Sequence, residues 1–282
     1  MIFQNAAVLG TGTLPFFCAS LLKNQEISVT IYDMDEKPSG ILKKRSDAEG
    51  IAYEHPQPKA LFHKLSLAAE PTLIISAINP YLLPKYMLDN PHITAINCHQ
   101  ALLPRHPGRN AEMWAIFEGD SATGITWHVL TSLVDGGDIL IQKSLAITEN
   151  HTSYQIFREQ IRLAEEGFRE ILPGLLAGTL QAVPQEIPAD RKLHYSYEVP
   201  NDGWLDINWP ANKISTFLRA MDYSILSVVP KGRIAIEGKT YIWKKYKITK
   251  EERFSDGITM MDDSLFIQKE GTLFELSIKE DF

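Results

Sequence analysis

The residue types best suited to chemistry gather mid-chain, in the run Asn97-Cys98-His99-Gln100-Ala101-Leu102-Leu103-Pro104. In an extended strand, residues two apart point to the same side. An amide and an imidazole at 97 and 99 would therefore be presented together. An amide can donate a hydrogen bond to an oxygen that gains negative charge, and an imidazole can take or give a proton near neutral pH. The bland alternative is that Asn97 caps a turn and His99 satisfies a buried carbonyl. Cys98 alternates away from the pair and is not expected to act as a nucleophile. Asp135 lies in a turn-rich, glycine-flanked loop, Val134-Asp135-Gly136-Gly137-Asp138. A carboxylate there could orient an imidazole or act through a water. A third feature is Gly10-Thr11-Gly12, with Asp33 further on. A glycine loop that opens a helix suits phosphates, and an acid after the second strand suits a ribose. The third glycine of the dinucleotide fingerprint is missing, because position 15 is Pro. Two readings of that loop stay open: an NAD or NADP site, as in a dehydrogenase, or a tight strand-to-helix turn near another ligand.

These groups need elements to hold them. Ala6 to Leu9 is an apolar strand ending at the glycines, and Leu14, Phe17, Cys18, Leu21 and Leu22 recur at helical spacing. Ser28 to Tyr32, Leu73 to Ile78 and Ile93 to Ile96 read as further strands, the second of them an apolar run broken only by Ser76, as in a central parallel strand. Such alternation predicts a doubly wound α/β sheet of Rossmann-like type, mostly parallel. Ligands of such sheets bind beyond the carboxyl ends of the strands, where Asn97 and His99 sit. Gly124 to Leu130 and Ile139 to Leu145 read as strands joined through the Asp135 loop. Ser153 to Leu176 reads as a helix capped by Thr152 that Pro173-Gly174 bends or ends. Residues 1–182 form the first expected domain. Residues 183–203, with prolines and no period, read as a linker. Residues 204–282 read as a small β-rich domain, with a helix at Pro210 to Met221 and strands at Leu226–Val229, Ile234–Ile236, Tyr241–Lys247, Ser264–Lys269 and Thr272–Leu276.

Composition narrows the function classes. The formal net charge of −7 excludes a uniformly basic nucleic-acid surface. Cys18 and Cys98 are the two cysteines, in no CxxC pair, so no metal site is expected and both should be reduced, buried thiols. No signal peptide and no apolar run of membrane-spanning length is evident, which points to a cytoplasmic protein without membrane partners.

Taken together, the order N-x-H (Asn97-Cys98-His99), Ala101-Leu102-Leu103-Pro104, Gly124-Ile125-Thr126-Trp127-His128 and Asp135-Gly136-Gly137 resembles the folate-dependent formyltransferases. Asp135 falls 38 residues beyond Asn97, the spacing of that family's catalytic pair. The likeness extends more loosely to Asp47–Ile51 and Ile78–Leu88. Gly203 to Ala220 is similar to the start of the second domain of the family's tRNA enzymes. The resemblance implies the formyltransferase fold with an OB-like C-terminal domain. It implies that an amine attacks the formyl carbon of 10-formyltetrahydrofolate through a tetrahedral intermediate. Asn97 and a protonated His99 would then stabilise the oxyanion, His99 or a water it holds would move protons to the leaving nitrogen, and Asp135 would orient His99 and raise its pKa. It implies a folate site walled by Asn79, Tyr81, Leu82, Leu83 and Pro84 and by Leu133, Val134, Gly136, Gly137 and Asp138. Gly10, Thr11, Gly12, Arg105, His106, Arg109 and Asn110 are assigned to the acceptor substrate, the basic ones for a phosphate or carboxylate. Ala101 departs from the family's serine, so any hydroxyl contact is lost there. His128 is read as structural, and Trp114 with Phe117 as helix packing.

The acceptor is expected to be a small-molecule amine, either an amino sugar on a nucleotide or an amino-acid-derived amine. Methionyl-tRNA is the alternative. Lys239, Lys244, Lys245, Lys247 and Lys250 cluster in the second domain, but Glu251, Glu252, Asp262, Asp263, Glu275, Glu280 and Asp281 offset them, and the domain is short. A β-rich domain of this kind is compatible with a homodimer.

Overall fold

Apolar runs and their periods set the architecture. In the computed structural model, which describes residues 2–281, the chain runs β1 (Asn5–Gly10), α1 (Leu14–Lys23), β2 (Ser28–Asp33), α2 (Ile41–Glu49), β3 (Ala52–Glu54), α3 (Pro58–Ser66), β4 (Thr72–Ala77), α4 (Lys85–Leu88) and β5 (Ile93–His99). It continues through α5 (Ala111–Glu118), β6 (Ala122–Val129), β7 (Ile139–Ala146) and α6 (Ser153–Ala177). The C-terminal part holds α7 (Ala211–Ala220), β8 (Arg233–Ile236), β9 (Lys239–Thr249), β10 (Gly257–Met261), β11 (Ser264–Lys269) and β12 (Thr272–Glu280). Two compact units result. One comprises the chain up to Gly108, Gly124–Leu145 and Glu159–Leu193. The other comprises Arg109–Thr123, Ala146–Arg158 and His194 onward.

The first unit is built on a seven-stranded sheet of order β3-β2-β1-β4-β5-β6-β7. β1 to β5 pair in parallel and β6 runs antiparallel to β5. The strand order reverses between β1 and β4, which opens a crevice at their carboxyl ends. Alternate side chains feed the two faces. Val8, Ile31, Leu73, Ile75 and Ile96 pack under α1 and α6, whereas Leu9, Tyr32, Ile74 and Ala95 pack on the other side with Leu61, Phe62 and Met87. Gly10 is demanded at the end of β1, because a Cβ there would lie 1.7 Å from the Ala77 carbonyl oxygen. α6 carries Pro173 within it and runs on to Ala177.

In the second unit the β-rich expectation takes the form of one antiparallel sheet of order β10-β11-β12-β9-β8. α7 covers it with Ile214, Phe217 and Leu218 against Ile234, Leu265, Phe274 and Leu276. The expected strand at Leu226–Val229 is not formed. Its amide at Leu226 closes a turn on Tyr223, Ile225 and Val228 stay exposed, and Pro230 ends the segment. β10 carried no strong period and is instead made a strand by pairing, Ile258 opposite Ile267. The segment beginning at Val183 is bound to the sheet, since Val183 and Ile139 exchange both backbone hydrogen bonds. Among the described residues, no helix is long and apolar enough to cross a membrane.

Candidate active site

Strand period and register assemble the site at the carboxyl end of β5. Asn97 stands directly opposite His128 and His99 opposite Thr126. Opposed residues of an antiparallel pair share a face, so all four side chains emerge together. Cys98 and Trp127 are also opposed, on the other face, and both join the hydrophobic core. Burial raises the Cys98 thiol far above its ordinary value, which keeps it protonated and inert, in line with its exclusion as a nucleophile.

The polar groups form a connected chain of contacts. The Asn97 amide nitrogen donates to His128 Nε2 at 3.1 Å, and His128 Nδ1 donates to the Val129 carbonyl at 3.0 Å. His128 Nε2 also lies 3.5 Å from Asp135 Oδ1. His99 Nε2 donates to the His106 carbonyl at 2.8 Å, which turns His99 Nδ1 toward Asp135 Oδ2 at 3.5 Å. The Gly108 amide donates to Asp135 Oδ2 at 2.8 Å. Hydrogen positions follow from the acceptors: a carbonyl can only accept, so Nε2 of His99 carries its hydrogen and Nδ1 presents the lone pair.

Electrostatics sharpen the roles. Burial pushes the Asp135 carboxyl up, but the neighbouring His99 and His128 rings and the hydrogen bond from the Gly108 amide outweigh it and hold Asp135 well below the usual carboxylate range. Burial lowers the His99 pKa, and that outweighs the opposite pull of Asp135 and the His106 carbonyl. The expectation that Asp135 raises the His99 pKa therefore holds for its own contribution and not for the sum. At neutral pH the pair rests as an ionised carboxylate beside a neutral imidazole.

Neighbouring segments lock these groups. The hydroxyl of Thr126 donates to the Ala101 carbonyl at 2.7 Å and accepts from the Leu103 amide at 3.1 Å. Gln142 donates to the Leu103 carbonyl and to Thr126. Gln160 donates to the carbonyls of Gln100 and Gly124. Ala101 is fully buried, and this loop is held through main chain, in keeping with the loss of a hydroxyl at this position. In the Asp135 loop, Gly137 admits no side chain, because its Cβ would lie 1.9 Å from the Val129 carbonyl oxygen.

The residues assigned to a pterin divide by behaviour. Asn79 spends its amide on Tyr81, donating to its carbonyl at 2.9 Å and accepting from its amide at 3.1 Å. Leu83 packs into the core, and Pro84 precedes α4. Leu82 and Leu133 stand 73% and 48% exposed, apolar walls without protein cover. Asp138 is exposed while its carbonyl accepts from the Val129 amide. Of the residues assigned to the acceptor, Gly10, Thr11 and Gly12 lie at the β1 end, where Thr11 donates to the Ile78 carbonyl. His106 is buried, and Arg105 is exposed. Arg109 and Asn110 belong to the second unit, where the Arg109 amide donates to the His194 carbonyl at 2.9 Å. Trp114 stacks on His194 at 4.2 Å as well as meeting Phe117 edge-on. Asp33 is nearly buried and engaged, accepting from Tyr53 at 2.8 Å and from the Asp35 amide at 3.1 Å. That leaves it poorly placed for the ribose role of the dehydrogenase reading.

Sequence reasoning passed over two sets of residues. His128 was placed among structural groups, although its register opposite Asn97 makes it part of the cluster. Gln185 and Arg191 left no signal, because they lie in a segment without periodicity.

The formyl transferase family model matches residues 8–172. The chain is 29% identical over 180 residues to GDP-perosamine N-formyltransferase of Brucella melitensis, covering 64% of this chain and 67% of that one. It is 30% identical over 180 residues to methionyl-tRNA formyltransferase of Latilactobacillus sakei, covering 63% of this chain and only 54% of that one. Its fold matches an N-formyltransferase of Helicobacter canadensis, solved in complex with folinic acid and dTDP-3-aminofucose. The TM-score is 0.76 at 13% identity, covering 98% of this chain and 100% of that one. The family model's match to more than half of the chain makes it a member of the formyl transferase family.

Proposed function

We propose that this enzyme transfers a formyl group from 10-formyltetrahydrofolate to the amine of a nucleotide-linked amino sugar. The observation that carries the reading is the cluster at the carboxyl end of β5, where Asp135 lies against both His99 and His128 and His128 accepts from Asn97. The folate assignment fits the exposed apolar side chains of Leu82 and Leu133, which suit the flat face of a pterin. When bound, the formylated folate supplies a carbonyl carbon open to attack by an amine.

The chain's own residues then do three things. Asn97 donates to the carbonyl oxygen as negative charge develops on it. His99, neutral at rest with its Nδ1 lone pair on the Asp135 side, takes a proton from the attacking amine directly or through one water. Asp135, ionised and 3.5 Å away, stabilises the imidazolium so formed and keeps the ring from turning. The proton can then pass to the leaving nitrogen. No side-chain nucleophile is needed. Residues 1–182 would carry this chemistry, with Gly10 to Gly12, Arg105 and His106 serving the acceptor.

The amino-sugar choice is supported by the Brucella melitensis relative's name and by the C-terminal part, whose acidic side chains offset its lysines and so suit tRNA poorly. The test is incubation with 10-formyltetrahydrofolate and GDP-perosamine, dTDP-3-aminofucose or charged initiator tRNA, read by mass spectrometry. A formylated amino sugar is the expected product. Efficient, salt-sensitive formylation of the tRNA alone would overturn the acceptor assignment.

A further inference from the structure

We propose that Gln185 and Arg191 are positioning residues that set the orientation of Asp135 from outside its loop. Gln185 Nε2 donates to the Asp135 carbonyl at 3.1 Å and to the Gly137 carbonyl at 2.5 Å. Arg191 Nη2 donates to the Val134 carbonyl. Three carbonyls of one short loop are thus held by two side chains from a segment about fifty residues further along, a span of the order that tertiary contacts alone can close.

The loop needs such a hold. Asp135 sits at φ 49°, a left-handed conformation that costs a non-glycine residue energy and that contacts from its surroundings help to hold. Fixing the peptide planes on both sides of Asp135 fixes the direction of its Cα–Cβ bond, and hence its distance to His99. The segment is itself anchored, because Val183 and Ile139 exchange hydrogen bonds at 2.7 and 2.8 Å just beyond the loop. Gln185 Oε1 and Arg191 Nε are buried without a hydrogen-bond partner. Each side chain therefore gives a donor to the loop while leaving a polar atom of its own unsatisfied, an arrangement that serves the loop rather than the segment.

The inference uses the formyl-transfer reading for its kinetic arm only. Gln185→Met and Arg191→Met remove the donors at similar size, and Arg191→Lys restores one. A misplacement of about 1 Å commonly costs up to about 100-fold in rate. We expect kcat to fall at least about tenfold in the two methionine variants, with KM for the amine changed less than about twofold, and Arg191→Lys to recover most of the loss. The second arm needs no substrate: NMR titration of the histidine rings in the free enzyme. His99 is faced by Asp135, His128 and His106. Loss of the Asp135 charge from its side should lower the His99 midpoint further in both methionine variants and not in Arg191→Lys. If melting temperatures drop while kcat and the His99 titration stay as in the parent, the side chains are merely structural and the proposal falls. If the parent formylates no amine, the functional reading falls, and the His99 titration still decides this one.

Discussion

β5 and β6 carry two buried faces that differ by a single-residue offset. On one face lie Asn97, His99, Thr126 and His128; on the other lie Ile96, Cys98, Ile125 and Trp127. Both are withdrawn from water, and burial acts on each in an opposite sense. On the apolar face it silences Cys98 by keeping the thiol protonated. On the polar face it keeps His99 neutral, which is the form that can accept a proton. The apolar face stabilises by packing. The polar face stabilises only if each group keeps its partner, and it keeps them through hydrogen bonds from Asn97, His99 and Gly108.

Substitutions separate the two faces. The largest effect should come from Asn97→Ala, His99→Ala and Asp135→Ala. Each is expected to lower kcat by about 10²–10⁴-fold with circular dichroism unchanged; full activity in all three would break the assignment of the polar face. Trp127→Ala should do the reverse. It removes a fully buried ring that packs on Phe168 at 5.2 Å and donates to the Ala164 carbonyl at 3.0 Å. A loss of about 3–5 kcal/mol in urea unfolding is expected, with kcat per folded molecule close to the parent. His128→Ala leaves Asn97 without its partner, so kcat should fall by about tenfold with KM for folate little changed; an unaltered kcat would return His128 to a purely structural role. Cys98→Ala is the mildest change. Activity should be retained, and in the parent the Cys98 thiol should resist alkylation up to pH 9.

Proton linkage gives the comparison a further edge. Asp135 and His99 both bind protons less readily folded than unfolded. The unfolded state therefore holds more protons through the acid range, and stability rises with pH there. The Asp135 part is present above the ordinary aspartate value of about 4 and is lost as pH falls below it. The His99 part is present above the ordinary imidazole value of about 6.5 and is lost as pH falls below that value. Asp135→Asn should flatten the lower limb of a Tm–pH curve and leave the behaviour of Trp127→Ala unaltered.

Much of this was legible in the residues. The alternation of strands and helices, and the apolar run at Leu73 to Ile78, lead directly to the parallel sheet, because burial on both faces demands apolar residues throughout. Short apolar segments misled where no periodicity supported them. Leu226–Val229 is apolar but ends at Pro230, and β10 is ordinary in composition but finds a partner. The segment from Val183 was illegible because irregular structure has no period to read, and its contacts with the Asp135 loop involve two side chains chosen by position alone.

The sequence by itself determined the local facts. Asn97 and His99 share a side, Cys98 points away, and the motif order marks the family. Each follows from backbone geometry over a few residues or from fixed spacing. Tertiary structure alone decided that His128 completes the polar cluster, that burial outweighs Asp135 at His99, and that Gln185 and Arg191 grip the Asp135 loop. The reason is that register, desolvation and loop docking are properties of segments brought together from afar, and a period of two or 3.6 residues carries no record of them.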